Sequence, residues 1–158
     1  MTDGSFPGSL TIARAGADDL EAIIAIYADD AAGGHGDGWS EATAPRYRAV
    51  FARLDANPDY ALYTARLDGR VVGTFLLHFY ETLVGIGGRS CTLHAVGVAA
   101  DCRGRGIGTA MLAAAEEAAR ARGARSLRLT SALPREDAHR FYRAAGYIER
   151  YRAFAKRL

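Results

Sequence analysis

Lysine is almost absent from this 158-residue chain: Lys156 is the only one, against nineteen arginines. A phosphate loop of the Gly-Lys-Ser/Thr kind is thereby excluded, because its lysine must close a glycine-rich turn. Cysteine is nearly as scarce, and Cys91 and Cys102 allow neither a disulfide framework nor a zinc site. The four histidines are scattered, without paired carboxylates at ligand spacing, so no metal is expected. No apolar run approaches the ~18 residues of a membrane span, and the N-terminus lacks a basic region followed by an apolar stretch. The expectation is a soluble cytoplasmic protein with no membrane partner. A net charge of +2 is too small to argue for nucleic acid. Ser126 and Ser131 have no base at a recognisable spacing, so a hydrolytic triad is not indicated.

What is present is ordinary globular composition, 49% hydrophobic and 24% charged. One domain, residues 9–158, is expected after a flexible N-terminal segment, 1–8. Leu10 to Ala13 reads as a strand. Asp18 to Asp30 reads as a helix, with Leu20, Ile23, Ile24 and Tyr27 at helical spacing and Asp18 as its N-cap. The glycine-rich stretch 31–40 reads as a mobile loop, and Pro45 to Asp55 as a second helix. Asp68-Gly69 marks a hairpin between strands Tyr60–Leu67 and Arg70–Tyr80, the second apolar on both faces and so central. Cys91 to Val98 is a further strand and Thr109 to Arg122 a helix closed by Gly123. A strand at Ser126–Thr130, a helix at Glu136–Ala145 and a last strand from Tyr147 to about Lys156 follow. The order predicts an α+β fold around one mixed sheet.

Between the strand ending at Val98 and the following helix lies Arg103-Gly104-Arg105-Gly106-Ile107-Gly108. Glycines at a helix N-terminus let the backbone approach an anion where unpaired N–H groups and the macrodipole favour it. A dinucleotide fingerprint does not fit, since Thr109 stands where its third glycine would be and no early βαβ unit surrounds the loop. Aromatic residues do not interleave with the arginines here, so stacking on nucleic-acid bases is not indicated. The plain alternative is a structural turn whose glycines only let a helix pack on a sheet.

The spacing Arg-x-x-Gly-x-Gly at Arg103, Gly106 and Gly108 resembles the pyrophosphate loop of the GNAT superfamily of acyl-CoA-dependent N-acetyltransferases. A second segment, Ala138-His139-Arg140-Phe141-Tyr142-Arg143-Ala144-Ala145-Gly146-Tyr147, is similar to that superfamily's C-terminal motif. One departure is Arg135, where many members carry asparagine. The resemblance implies a single GNAT-like domain, its mostly antiparallel mixed sheet flanked by about four helices, of the bacterial small-molecule type. It implies acetyl-CoA as co-substrate and no metal. The pyrophosphate would lie on the backbone of Arg103, Gly104, Arg105, Gly106, Ile107 and Gly108, with Thr109 nearby. The pantetheine arm would pair with the strand at Val96 and Val98, and Gly97 would permit a bulge there.

The same resemblance places Tyr142 as the general acid that protonates the departing thiolate; its ordinary pKa of ~10 keeps it protonated at neutral pH. His94 stands where many members carry a glutamate that takes the amine's proton. It alternates with Val96 and Val98 and is expected on their face of the strand. It is either that base or a histidine hydrogen-bonded within the sheet. His78 and His35 are reserve candidates; His139 is assigned no chemistry. Asp29, Asp30, Asp37, Glu41 and Glu81 would border the acceptor, as a pull on a cationic amine or as a solvated rim. The implied activity is acetyl transfer to a primary amine by direct attack in a ternary complex, with a small-molecule acceptor and a homodimer as expected partners. The alternative is an acyl-CoA-binding sensor or interaction module without turnover.

Overall fold

Asp68 and Gly69 take φ of +50° and +84°, the left-handed pair that a two-residue hairpin turn needs, and they join β2 (Tyr60–Leu67) to β3 (Arg70–Thr82). The computed structural model describes residues 8–30 and 36–158. The expected flexible segment therefore lies outside the described residues apart from Gly8, as does the first half of the glycine loop with His35. β1 (Leu10–Arg14) pairs antiparallel with β2, and β3 pairs antiparallel with β4 (Gly88–Val98). β5 (Leu127–Leu129) joins β4 in parallel, giving one five-stranded sheet in the order β1-β2-β3-β4-β5. β3 is central, as its two apolar faces require.

One face of the sheet carries the main core. Phe75, Leu77, Phe79, Cys91 and Leu93 pack there against Ile107, Met111, Leu112, Ala115 and Ala119 of α3 (Ile107–Ala121). Each fully buried aromatic or aliphatic side chain contributes about 1.5–3 kcal/mol. The alanine-rich face of α3 sits close to the sheet: a Cβ on Gly73 would come within 2.5 Å of the Met111 sulfur. The opposite face is covered at one end by α1 (Leu20–Ala28) and α2 (Ala44–Ala56), through Ile23, Tyr27 and Phe51 against Leu62 and Leu76. α4 (Glu136–Ala144) follows β5, its Phe141 and Tyr142 packed on the main core.

Two expectations are corrected. Asp18 does not cap α1, because the chain first makes a 3-10 turn over Ala17–Asp19. Asp19 is the working acid: buried, it accepts from the Gly16 N–H at 2.9 Å and pairs with Arg66 of β2. The C-terminal strand at Tyr147–Lys156 does not form either; Tyr147 packs against the core and everything beyond it is exposed without regular structure. Its aromatic residues have β propensity, but that propensity is a fit to a neighbouring strand. Among the described residues no strand pairs with this segment, which carries Arg150, Arg152 and Lys156.

Candidate active site

The parallel pairing of β4 with β5 covers only Cys91–Leu93 against Leu127–Leu129. Beyond it the two strands part, and among the described residues His94 to Val98 keep β3 on one side with no strand on the other. Apart from the Val98 carbonyl, which accepts from Arg103, this leaves backbone N–H and C=O groups that an extended ligand can pair with. The same stretch holds an irregularity. Leu76 faces His94 and Thr74 faces Gly97, so Phe75 opposes two residues, and Ala95 takes φ +50°. An alanine in that region costs about 1–2 kcal/mol. The expected bulge is thus at Ala95, not at Gly97.

The bulge corrects the expected facing of His94. It shares a face with Leu76, Thr74 and Gly97, the face covered by α1; Val96 and Val98 turn to the other face, against the main core. Gly97 is required for a different reason: a Cβ there would meet Ile26 of α1 at 2.7 Å. The base candidate and the strand positions expected to hold the pantetheine are therefore on opposite sides of the sheet.

After Val98 a 3-10 turn over Ala100–Cys102 leads into the glycine loop. Arg103 is fixed to both neighbours, its Nε donating to the Val98 carbonyl at 3.0 Å and its guanidinium 4.0 Å from Asp29 beyond α1. Gly104 and Gly106 take φ of +73° and +82°, and no atom lies within 4 Å of where a Gly104 Cβ would be. Gly106 is the N-cap of α3, and no side chain caps that helix. Its first N–H groups consequently have no capping side chain to donate to. Arg105 and Thr109 are exposed beside them. Ile107 is buried, so only its backbone is available to a ligand. Gly108 has a packing role, since a Cβ there would stand 3.2 Å from the Phe141 ring. A pyrophosphate fits this uncapped end. The hydroxyl of Ser131, two residues past β5, is also buried without a partner in the region where the strands part.

Tyr142 belongs to the same side as Val96 and Val98, packed on the main core with its ring 5.3 Å from Phe141 and 5.9 Å from Tyr147. Burial pushes its pKa above the usual tyrosine value, against a smaller opposite pull from Arg135. Arg135, the residue departing from the family asparagine, donates to Asp30 at 3.1 Å.

On the other face His94 is exposed, 6.2 Å between ring centroids from His78. Desolvation, then the neighbouring imidazole, lower its pKa below 6.5. His78 itself is stacked on Tyr60 at 4.4 Å, which marks it as structural. Tyr27 lies beside Gly97 on this face, and burial pushes its hydroxyl to about 12. Periodicity had assigned Tyr27 to the core only. Three of the five acids of the expected rim are paired with arginines, Asp37 is hydrogen-bonded to a neutral hydroxyl, and Glu41 is exposed. Asp29 pairs with Arg103, Asp30 with Arg135, and Asp37 accepts from the Tyr47 hydroxyl at 2.9 Å. Glu81 points to the other face, where it meets Arg89 at 3.8 Å. One signal was missed in the sequence: Arg128 of β5 falls on the same face as His94 by register with Thr92 and His78, under the ring of Tyr151.

Among the described residues no group of acids, histidines and cysteines could hold a metal, and no helix is long and apolar enough to cross a membrane. The chain is similar to an aminoalkylphosphonate N-acetyltransferase of Salmonella typhimurium, 38% identical over 110 residues. That match spans 66% of this chain and 66% of the relative, just under two thirds of its length. Among solved structures, a transcriptional regulator from Bacillus halodurans C-125 superposes with a TM-score of 0.90 at 27% identity, covering 95% of this chain and 100% of its own. A putative acetyltransferase from Agrobacterium tumefaciens str. C58 gives 0.81 at 22% identity, covering 94% and 99%, a likeness of fold. Residues 20–147 match the Acetyltransferase (GNAT) family, from the first residue of α1 to the tyrosine that closes the second motif, and the chain belongs to that family of acyltransferases.

Proposed function

We propose that this protein transfers an acetyl group from acetyl-CoA to a small primary amine by direct attack in a ternary complex. The observation that carries the reading is the open edge of β4 beside the uncapped N-terminus of α3, with His94 on one face of the sheet and Tyr142 on the other. The Salmonella relative, whose name gives an aminoalkylphosphonate as acceptor, supports a small amine.

Acetyl-CoA, when bound, supplies a thioester. In this reading the backbone from Arg103 to Gly108 and the exposed Thr109 hold its pyrophosphate, and the free edge at Val96 to Val98 holds its pantetheine arm. A backbone N–H of that edge faces the thioester oxygen, where such a donor is worth about 2.7–4 kcal/mol in the transition state. His94, neutral at pH 7, takes the proton that the attacking nitrogen loses as the C–N bond forms. Tyr142 gives its proton to the sulfur as the C–S bond breaks. A homodimer belongs to this reading, because Leu83, Val84, Ile86, Ile148 and Phe154 leave large apolar surface exposed. Light scattering that finds only monomer at high micromolar concentration counts against it.

The test is release of free CoA thiol from acetyl-CoA with a panel of small amines, alongside calorimetry with CoA. CoA binding together with amine-dependent thiol release is expected. Binding without release on any amine replaces this reading by the acyl-CoA-binding module.

A further inference from the structure

We infer that the acceptor carries an anionic group, and that Arg128 with the cavity beside it binds that group. This rests on the reading of the His94 face as the acceptor side. A cavity of about 390 Å³ opens on that face, lined by Tyr80, Thr82, Ser90, Ser126, Arg125 and Arg128 among others. Four hydroxyls and two guanidinium groups line it, and none of its lining residues is a carboxylate. Arg125 is held by the carbonyls of Gly85 and Gly87 in the β3–β4 turn, so its charge is fixed at the wall. Arg128 has no carboxylate partner among the described residues; its guanidinium lies 5.7 Å from the centre of the Tyr151 ring, which orients it without neutralising it.

Most other arginines near the candidate site are already satisfied: Arg103 by Asp29, Arg135 by Asp30 and Arg89 by Asp59. A guanidinium without a carboxylate partner among hydroxyls is the donor set for a phosphonate, phosphate or carboxylate, because its planar fork meets two oxygens at once while the hydroxyls reach any third. Position agrees with this. Arg128 pairs with Thr92, one pleat from His94 on the same face, so the two Cα atoms are about 8 Å apart from the ordinary rise and strand spacing. A short acceptor can present its amine to His94 and its anion to Arg128. The same charge disfavours a purely cationic amine there.

The test compares acceptors of similar length with the full chain: 2-aminoethylphosphonate, β-alanine and ethanolamine, in wild type, Arg128→Gln and Arg128→Lys. At least one anionic acceptor is expected to exceed ethanolamine tenfold or more in kcat/KM. Arg128→Gln is expected to remove that preference through KM and leave ethanolamine within twofold, with Arg128→Lys restoring part of it. The phosphonate and carboxylate arms identify which anion is taken. Equal use of all three amines, or an equal loss on all three in Arg128→Gln, overturns the inference while leaving acetyl transfer standing. Calorimetry with methylphosphonate gives a readout independent of turnover. If no amine is acetylated, methylphosphonate binding that Arg128→Gln abolishes still upholds the anion subsite, and no binding in wild type refutes it. Arg128 is exposed, and thermal melts of the variants verify that the fold is retained.

Discussion

Arg135, at the foot of α4, donates a hydrogen bond to Asp30, just past α1, across 3.1 Å and 105 positions of sequence. The pair joins the helix that packs on β4 to the helix that follows β5, the two elements flanking the place where those strands part. Both side chains are about one-third exposed, 33% and 31%, so the pair is worth much less than a buried one. A double-mutant cycle with Asp30→Asn and Arg135→Met is expected to give a coupling energy of about 0.5–1 kcal/mol by urea unfolding. Additive single effects would mean that the two charges meet without holding the helices.

Lowering of the His94 pKa below 6.5 has a sign that kinetics can read. The imidazole is neutral above that value, so its own contribution to kcat/KM is expected to be complete near neutral pH and lost only below pH ~6.5, while ionisation of the acceptor amine gives a separate limb at higher pH. His94→Ala should lose the lower limb. A lower limb that survives in His94→Ala removes His94 from the mechanism. Stability follows the same direction: the unfolded chain takes the proton more readily, so this contribution is present above pH ~6.5 and is lost as pH falls through the lower folded value.

Removing one hydroxyl from Tyr142 leaves its ring contacts with Phe141 and Tyr147 in place. Tyr142→Phe is expected to lower kcat about 10²- to 10⁴-fold with little change in acetyl-CoA affinity. Because burial raises its pKa, the hydroxyl stays protonated past pH ~10, and no alkaline loss from this group is expected before then. A kcat within a few-fold of wild type, with chemistry shown to limit the rate, assigns the proton to another donor.

Gly104 tests the glycine loop better than a branched substitution at Gly106, whose φ of +82° at the N-cap would disturb α3 itself. Gly104→Ala adds a Cβ into open space at φ +73°. A stability loss of about 1 kcal/mol from the backbone is expected. If the loop holds the pyrophosphate, CoA affinity should fall by more than that strain explains, since the methyl stands on the backbone the phosphate would approach. Unchanged affinity in calorimetry would separate the loop from phosphate binding.

The features legible in the sequence were those set by local chemistry. Asp68-Gly69 announced its hairpin, and the spacing of Ile23, Ile24 and Tyr27 announced the buried stripe of α1, because turn conformation and helical phase depend on the residues themselves. Gly104 and Gly106 marked a helix N-terminus in the same way. What was missed depends on partners distant in the chain. The final strand was read from aromatic composition, yet Tyr151 ends over Arg128 rather than in a sheet. The carboxylates at Asp29 and Asp30 looked like an acidic rim until Arg103 and Arg135 arrived from 74 and 105 positions away. Two-residue counting along β4 could not register the bulge, since a bulge is defined by the strand opposite.

The extra residue at Ala95 also changes how this strand can be compared or re-engineered. Removing it would leave His94, Val96, Gly97 and Val98 in the alternation of an uninterrupted strand, each on the side it already occupies. The parity of the strand therefore resets at one position. A protein shorter by one residue here can carry the same two surfaces, and an alignment drawn through without a gap at Ala95 would exchange them. A designer altering the face of Val96 and Val98 should count back from Val98, and one altering the opposite face should count forward to His94.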